Sequence, residues 1–123
     1  MQFTREDSNE ANTIVAYAEG EVRLRDHAYT SSLIVTRTEI LDGWRPASAN
    51  ALSIADFSAL IALKPEIVLL GTGARLRFPH PRLTAALTRA RIGLEVMDVQ
   101  AACRTYNILM AEERKVAAAL LFA

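Results

Sequence analysis

Apolar positions fall along this chain in blocks of two kinds. Ile67-Val68-Leu69-Leu70 is a continuous run bounded by Pro65 and Gly71, and a short unbroken run of this type predicts a strand buried on both faces. Leu33-Ile34-Val35 and Leu94-Glu95-Val96-Met97 read as further inner strands, and the alanine-rich segment 115–122 as a last one. Ile14–Ala18 predicts a strand that turns at Glu19-Gly20 into Val22-Arg23-Leu24-Arg25. Apolar and charged residues alternate there, which is the pattern of a hairpin with one wet face. Asp26 and His27 fall at the next bend, and 41–46, which holds Gly43, Trp44 and Pro46, has turn chemistry.

Between these blocks the apolar period changes to that of a helix. Ile54, Phe57, Leu60 and Ile61 form a stripe, with Ser53 and Asp56 spaced to cap its start and Pro65 to stop it. Pro81 suits a first helical position, Leu83, Ala86, Leu87 and Ala90 follow at helical spacing, and Gly93 ends that segment. Asp98 stands where it can cap a helix through Ala101, Ala102, Thr105, Ile108 and Leu109. Glu112 and Glu113 then turn the chain. The order is hairpin, strand, helix, strand, helix, strand, helix, strand. It predicts one α/β domain over 1–123, three layers deep, with a central mixed and mostly parallel sheet between helices and an antiparallel N-terminal hairpin. The polar segment 1–12 is expected to be a loose arm. Segment 116–122 is expected at or near an edge, where two copies of the chain can pair into a homo-oligomer.

Composition narrows the classes of function. The chain has 123 residues, 51% of them hydrophobic, enough for a packed core and against disorder. Fourteen basic residues balance fourteen acidic ones, which argues against a general nucleic-acid binder. The single Cys103 makes no internal disulfide, and residues 2–7 lack the apolar core of a secretory signal. No apolar run is long enough to span a bilayer, so no membrane insertion is expected. A cytoplasmic location follows as the expectation.

The candidate chemistry gathers after the Leu70 strand. Gly71, Thr72 and Gly73 can present backbone N–H groups to an anion, with Arg75, Arg77 and Arg82 adding charge and His80 a titratable donor. A tight turn that needs glycine for steric reasons explains the same residues, and the balance favours it. Neither the Walker pattern nor the three-glycine dinucleotide pattern is present. Asp98, beyond a buried strand, suits a general base facing the loop, and suits a helix cap better. Cys103 beside Arg104 suggests an activated thiolate. Adjacent helix residues point apart, however, and a buried inert thiol fits better. Two histidines and one cysteine form no metal-spaced cluster, so neither metal nor cofactor is expected. Trp44 reads either as an interface anchor or as a side chain packed beneath a loop.

Taken together, Gly71-Thr72-Gly73 after its apolar strand, then His80-Pro81, then Gly93-Leu94-Glu95-Val96-Met97-Asp98 and Ala102-Cys103-Arg104-Thr105-Tyr106-Asn107 resemble a known family. It is the family of NADH dehydrogenase (complex I) assembly factor 3, with its many small bacterial members. The resemblance runs from about residue 26 to residue 122. It implies a compact α/β domain with a cleft near the Gly-Thr-Gly loop, no established reaction, and a protein partner linked to a membrane complex. Gly71, Thr72, Gly73, Asp98, Ala102, Cys103, Thr105 and Asn107 match its recurrent positions, and all of these but Ala102 form the candidate ligand site. Val99 departs from the Thr or Ser expected after the aspartate, which removes a hydroxyl from the cleft and weakens a catalytic role there. The leading expectation is a non-enzymatic interaction or assembly protein. The alternative is a binder of small anions or metabolites, or a modest enzyme, working through 71–73 and Asp98.

Overall fold

The structure, a computed structural model, describes residues 11–123. Most of the expected loose arm, residues 1–10, lies outside the described residues. Ala11 and Asn12 do not behave as a loose arm. Asn12 is buried, its backbone N–H donates to Arg37 O at 2.9 Å and its side-chain amide to Thr36 O at 3.0 Å.

Two sheets form. Strands β1 (Ile14–Ala18), β2 (Glu21–Leu24) and β3 (His27–Tyr29) make an antiparallel meander in the order β1-β2-β3. The expected hairpin is thus its first two strands, and the residues read as a bend at His27 open a third. Strands β4 (Leu33–Val35), β5 (Ile40–Asp42), β6 (Ile67–Thr72), β7 (Gly93–Met97) and β8 (Val116–Leu121) make the main sheet, in the order β5-β4-β8-β6-β7. It is mixed. β6 runs parallel to both β7 and β8, while β4 runs antiparallel to β5 and β8. β5 begins where turn chemistry alone was expected, since Ile40–Asp42 pairs with Leu33–Val35 before Gly43 turns the chain.

Helix α1 (Ser58–Ala62) follows a 3₁₀ turn at Ile54–Phe57, so the expected helix over 54–63 starts with a tighter winding. Helix α2 (Pro81–Arg89) has Pro81 in its first turn. Helix α3 (Val99–Ala111) begins directly after Asp98. From β6 the chain passes through α2 to the edge strand β7, then back through α3 over β6 to β8. Right-handed crossovers in opposite directions place α2 and α3 on opposite faces of the sheet.

Segment 116–122 is not an edge. β8 lies at the centre of the main sheet, bonded on both sides, and all six of its residues are buried. Alternation along it feeds two cores. Val116, Ala118 and Leu120 face α3 and the small sheet, while Ala117, Ala119 and Leu121 face Phe57, Leu60 and Leu87. The alanines reflect this crowding from both faces rather than an exposed rim. The edges are β5 and β7, so pairing of two copies through 116–122 is ruled out by the register. Among the described residues no helix is long and apolar enough to cross a membrane.

Candidate functional site

In an open α/β sheet with helices on both faces, ligands favour the crevice beyond the carboxyl ends of the parallel strands. Gly71, Thr72, Gly73 and Asp98 lie at that end, at the tips of β6 and β7. The backbone N–H of Val99 donates to Gly73 O at 2.8 Å, so the loop and the aspartate are neighbours, as expected.

Each of these residues has an internal partner. Gly71 is a strand residue without positive φ. A Cβ there would stand 3.1 Å from Ala102 Cβ, Leu120 Cδ2 and Val99 Cα, so it is the close seating of α3 on β6 that calls for glycine. Val99, where a hydroxyl was expected, is buried in that same contact. Thr72 is buried, and its hydroxyl donates to Arg75 O at 2.7 Å, with Met97 O at 3.3 Å, while accepting from the Arg77 N–H at 3.0 Å. It ties the following turn to the end of β6. Gly73 has φ +88°, and a Cβ there would meet Ala123 O at 2.8 Å. Asp98 accepts from the Ala101 N–H at 2.8 Å, the bond of a helix cap.

Cys103 and Asn107 lie further along α3, with Tyr17 across from them, and line a shallow groove between that helix and β1. Burial pushes the Cys103 thiol up to about 12, against the weaker pull of Arg104, and the thiolate that would act as a nucleophile is scarce at neutral pH. Asn107 meets the backbone of Ile14 twice, accepting from its N–H at 3.0 Å and donating to its carbonyl at 2.7 Å. Next to it the Tyr106 hydroxyl donates to Asn12 O at 2.6 Å, and burial raises its pKa. Thr105 is half-buried on another side of α3, away from Cys103. The structure therefore brings together 71–73 with Asp98, and separately Cys103 with Asn107, but not all seven in one cavity.

Sequence reasoning left two features unread. Asp56, 5% exposed at its side chain, is gripped by Arg45 through Nε to Oδ1 at 2.7 Å and Nη2 to Oδ2 at 2.6 Å. It also accepts from the Ser53 N–H at 2.8 Å, completing the expected capping box. The Arg45 guanidinium holds the Asp56 carboxyl below its ordinary range. Trp44 packs edge-on against Phe57 and donates from Nε1 to Asp56 O at 3.0 Å, so it lies against the fold rather than standing free. The second feature is a recess of about 220 Å³ at the opposite pole, where β6 and β8 begin, lined by Thr36, Arg37, Leu63, Pro65, Lys115 and Val116 among others. Its residues come from three separate segments, so no local motif announces it.

A family model described as "Protein of unknown function (DUF498/DUF598)" matches residues 14–121, from the first residue of β1 to the last of β8. The chain belongs to this family. It is 29% identical over 123 residues to NADH dehydrogenase [ubiquinone] 1 alpha subcomplex assembly factor 3 of Danio rerio, an alignment covering 98% of this chain and 70% of that protein. It is 26% identical over 106 residues to the 13 kDa major membrane protein of Francisella tularensis, covering 85% and 86%. Among solved structures, a Bordetella parapertussis protein superposes with a TM-score of 0.87 at 32% identity, covering 93% of this chain and 98% of that one. A Bordetella pertussis protein described as a Mth938-like domain gives 0.81 at 25% identity, covering 98% and 90%. These matches bear out the resemblance read from about residue 26 to residue 122.

Proposed function

We propose that this member of the DUF498/DUF598 family is a non-enzymatic interaction protein that helps assemble a membrane-bound respiratory complex. Its partner is then a protein subunit of that complex. The observation that carries this reading is the match along nearly the whole chain to a protein named as an assembly factor of NADH dehydrogenase. A relative named as a major membrane protein accords with work close to a membrane. The local chemistry supports it as well, since Thr72, Asp98, Cys103 and Asn107 engage the chain's own backbone or are buried. Among the described residues, none of these four stands in a hydrogen-bonded nucleophile–base pair.

Two measurements test it. Deleting the gene in its own host should lower the NADH:quinone oxidoreductase activity of the membranes and the amount of assembled complex on native gels. Unchanged activity and assembly would defeat the proposal. The reading in which Asp98 acts as acid or base separates through two substitutions. Asparagine caps a helix about as well as aspartate and alanine does not. Asp98→Asn should therefore restore assembly in the deletion strain, while Asp98→Ala lowers stability by about 1 kcal/mol. Failure of the folded Asp98→Asn protein to restore assembly would favour chemistry at that carboxylate.

A further inference from the structure

The chain is neutral overall, but its charges are not spread evenly. Between Glu66 and Glu95 it has no acidic residue and five arginines. Three of these, Arg75, Arg77 and Arg82, belong to the segment that leaves β6 and enters α2. That segment also carries Phe78, 74% exposed, and Leu76, 50% exposed. Phe78 is the most exposed large apolar side chain among the described residues. Basic and apolar residues alternate along Arg75-Leu76-Arg77-Phe78.

The segment is also held firmly at both ends. At its start the Thr72 hydroxyl bonds Arg75 O and the Arg77 N–H. At its end His80 Nδ1 accepts from the Arg82 N–H, and Pro81 opens α2. A free linker would explain exposed apolar residues by having no structure to bury them. A loop pinned at both ends and still presenting Phe78 to water needs another explanation. Asp98, which follows the neighbouring strand β7, is engaged with the Ala101 N–H.

We propose that residues 75–82 form a docking finger for an anionic phospholipid surface. The arginines meet the lipid phosphates, and Phe78 with Leu76 enters the boundary between headgroups and acyl chains. Charge complementarity and the alternation of arginines with exposed apolar side chains carry the assignment. An exposed loop of this composition matches a soft interface that closes around it, and arginine beside apolar side chains suits that depth. This inference stands apart from the assembly reading, because it concerns a lipid surface and not a protein subunit.

The test is flotation of the full chain with vesicles of phosphatidylcholine and phosphatidylglycerol at 7:3, beside vesicles of phosphatidylcholine alone. The chain should float with the anionic vesicles and not with the neutral ones, and 0.5 M salt should release it. Each arginine near an anionic surface contributes about fivefold, so Arg75→Gln with Arg77→Gln should weaken binding roughly 25-fold. Phe78→Ser should weaken it about tenfold. Ile108→Ser, which alters an exposed apolar residue on α3 (58% exposed), serves as the control and should change nothing. All four side chains are exposed, and far-UV circular dichroism checks that each variant folds. No flotation with anionic vesicles would overturn the proposal, as would flotation insensitive to both finger variants. Binding of the finger to an acidic protein without any to vesicles would overturn it too.

Discussion

Asn107 joins parts of the chain that are 93 residues apart, because its amide meets both the N–H and the carbonyl of Ile14. In a sheet those two backbone groups would find a neighbouring strand. Here a side chain from α3 takes that place, next to the irregular register between Ile14 and Ala16. Replacing it with an apolar residue of similar size leaves two backbone groups without partners, and each such loss costs about 1 kcal/mol or more. Asn107→Leu should therefore lower the urea-unfolding free energy by about 2 kcal/mol. Asn107→Asp keeps the acceptor, loses the donor and should fall between. An unchanged midpoint for Asn107→Leu would show that apolar contacts alone seat the small sheet. Such roles are hard to read in a sequence. Asn107 could be marked as matching a family position, but its partner lies in β1, and no local spacing connects the two. Gly71 and Asp98 show the opposite case. A glycine after a buried run and an aspartate before a helix each suggest a structural duty on local grounds, and the structure displays both duties.

At the scale of elements, long periodic segments were legible and short polar ones were not. β6, β8, α2 and α3 follow from unbroken apolar runs or helical stripes. β3 and β5 have three residues each, too few to show a period, and they form because β2 and β4 offer free edges. The connection from β5 to α1 has a similar hidden element in its Arg45–Asp56 pair. Ser53 and Asp56 were legible as a capping box, but Arg45, eleven residues earlier, was not. This pair gives the connection a pH dependence with a definite sign. Asp56 has its folded pKa lowered from 3.8, first by the Arg45 hydrogen bonds and then by those from Ser53, against the opposing effect of burial. A depressed folded pKa means stability that is present above the unfolded value and lost as pH falls through the folded one. Wild type should thus be more stable than Asp56→Asn at pH 7, with the difference shrinking as pH falls below about 4. Glu66, lowered chiefly by Arg114, acts in the same direction, and it is unchanged in both proteins. Thermal melts of the two proteins from pH 7 to pH 2.5 check this. A gap that stays constant over that range would mean the Asp56 charge contributes nothing to the fold.

For the molecule as a whole, the position of β8 decides how the domain opens. The last strand in sequence is the middle strand in space, with β4 on one side and β6 on the other. Its six residues divide between two apolar clusters, so neither cluster can form fully until the end of the chain has entered the sheet. Adjacency in sequence could not reveal this, because an alanine-rich terminal strand reads equally well as an edge. The two clusters are therefore coupled through one strand, and opening β8 exposes both together. The backbone amides of Val116–Leu121 and Ile67–Thr72 should then exchange with solvent only through global unfolding. For a domain of ordinary stability, about 5 kcal/mol or more, this means protection of roughly 10³-fold or higher. The amides of His27–Tyr29 and Ile40–Asp42, in edge strands of three residues, should exchange far faster through local opening. Hydrogen exchange followed by NMR resolves these groups. Amides in Val116–Leu121 exchanging as fast as those in Ile40–Asp42 would show that β8 can leave the sheet alone and that the two cores are not coupled through it. Slow exchange confined to β8 and β6 would place the cooperative unit of the fold on the strands that also support Gly71, Thr72 and the arginine finger. A finger on that base can press Phe78 outward without drawing its own support apart.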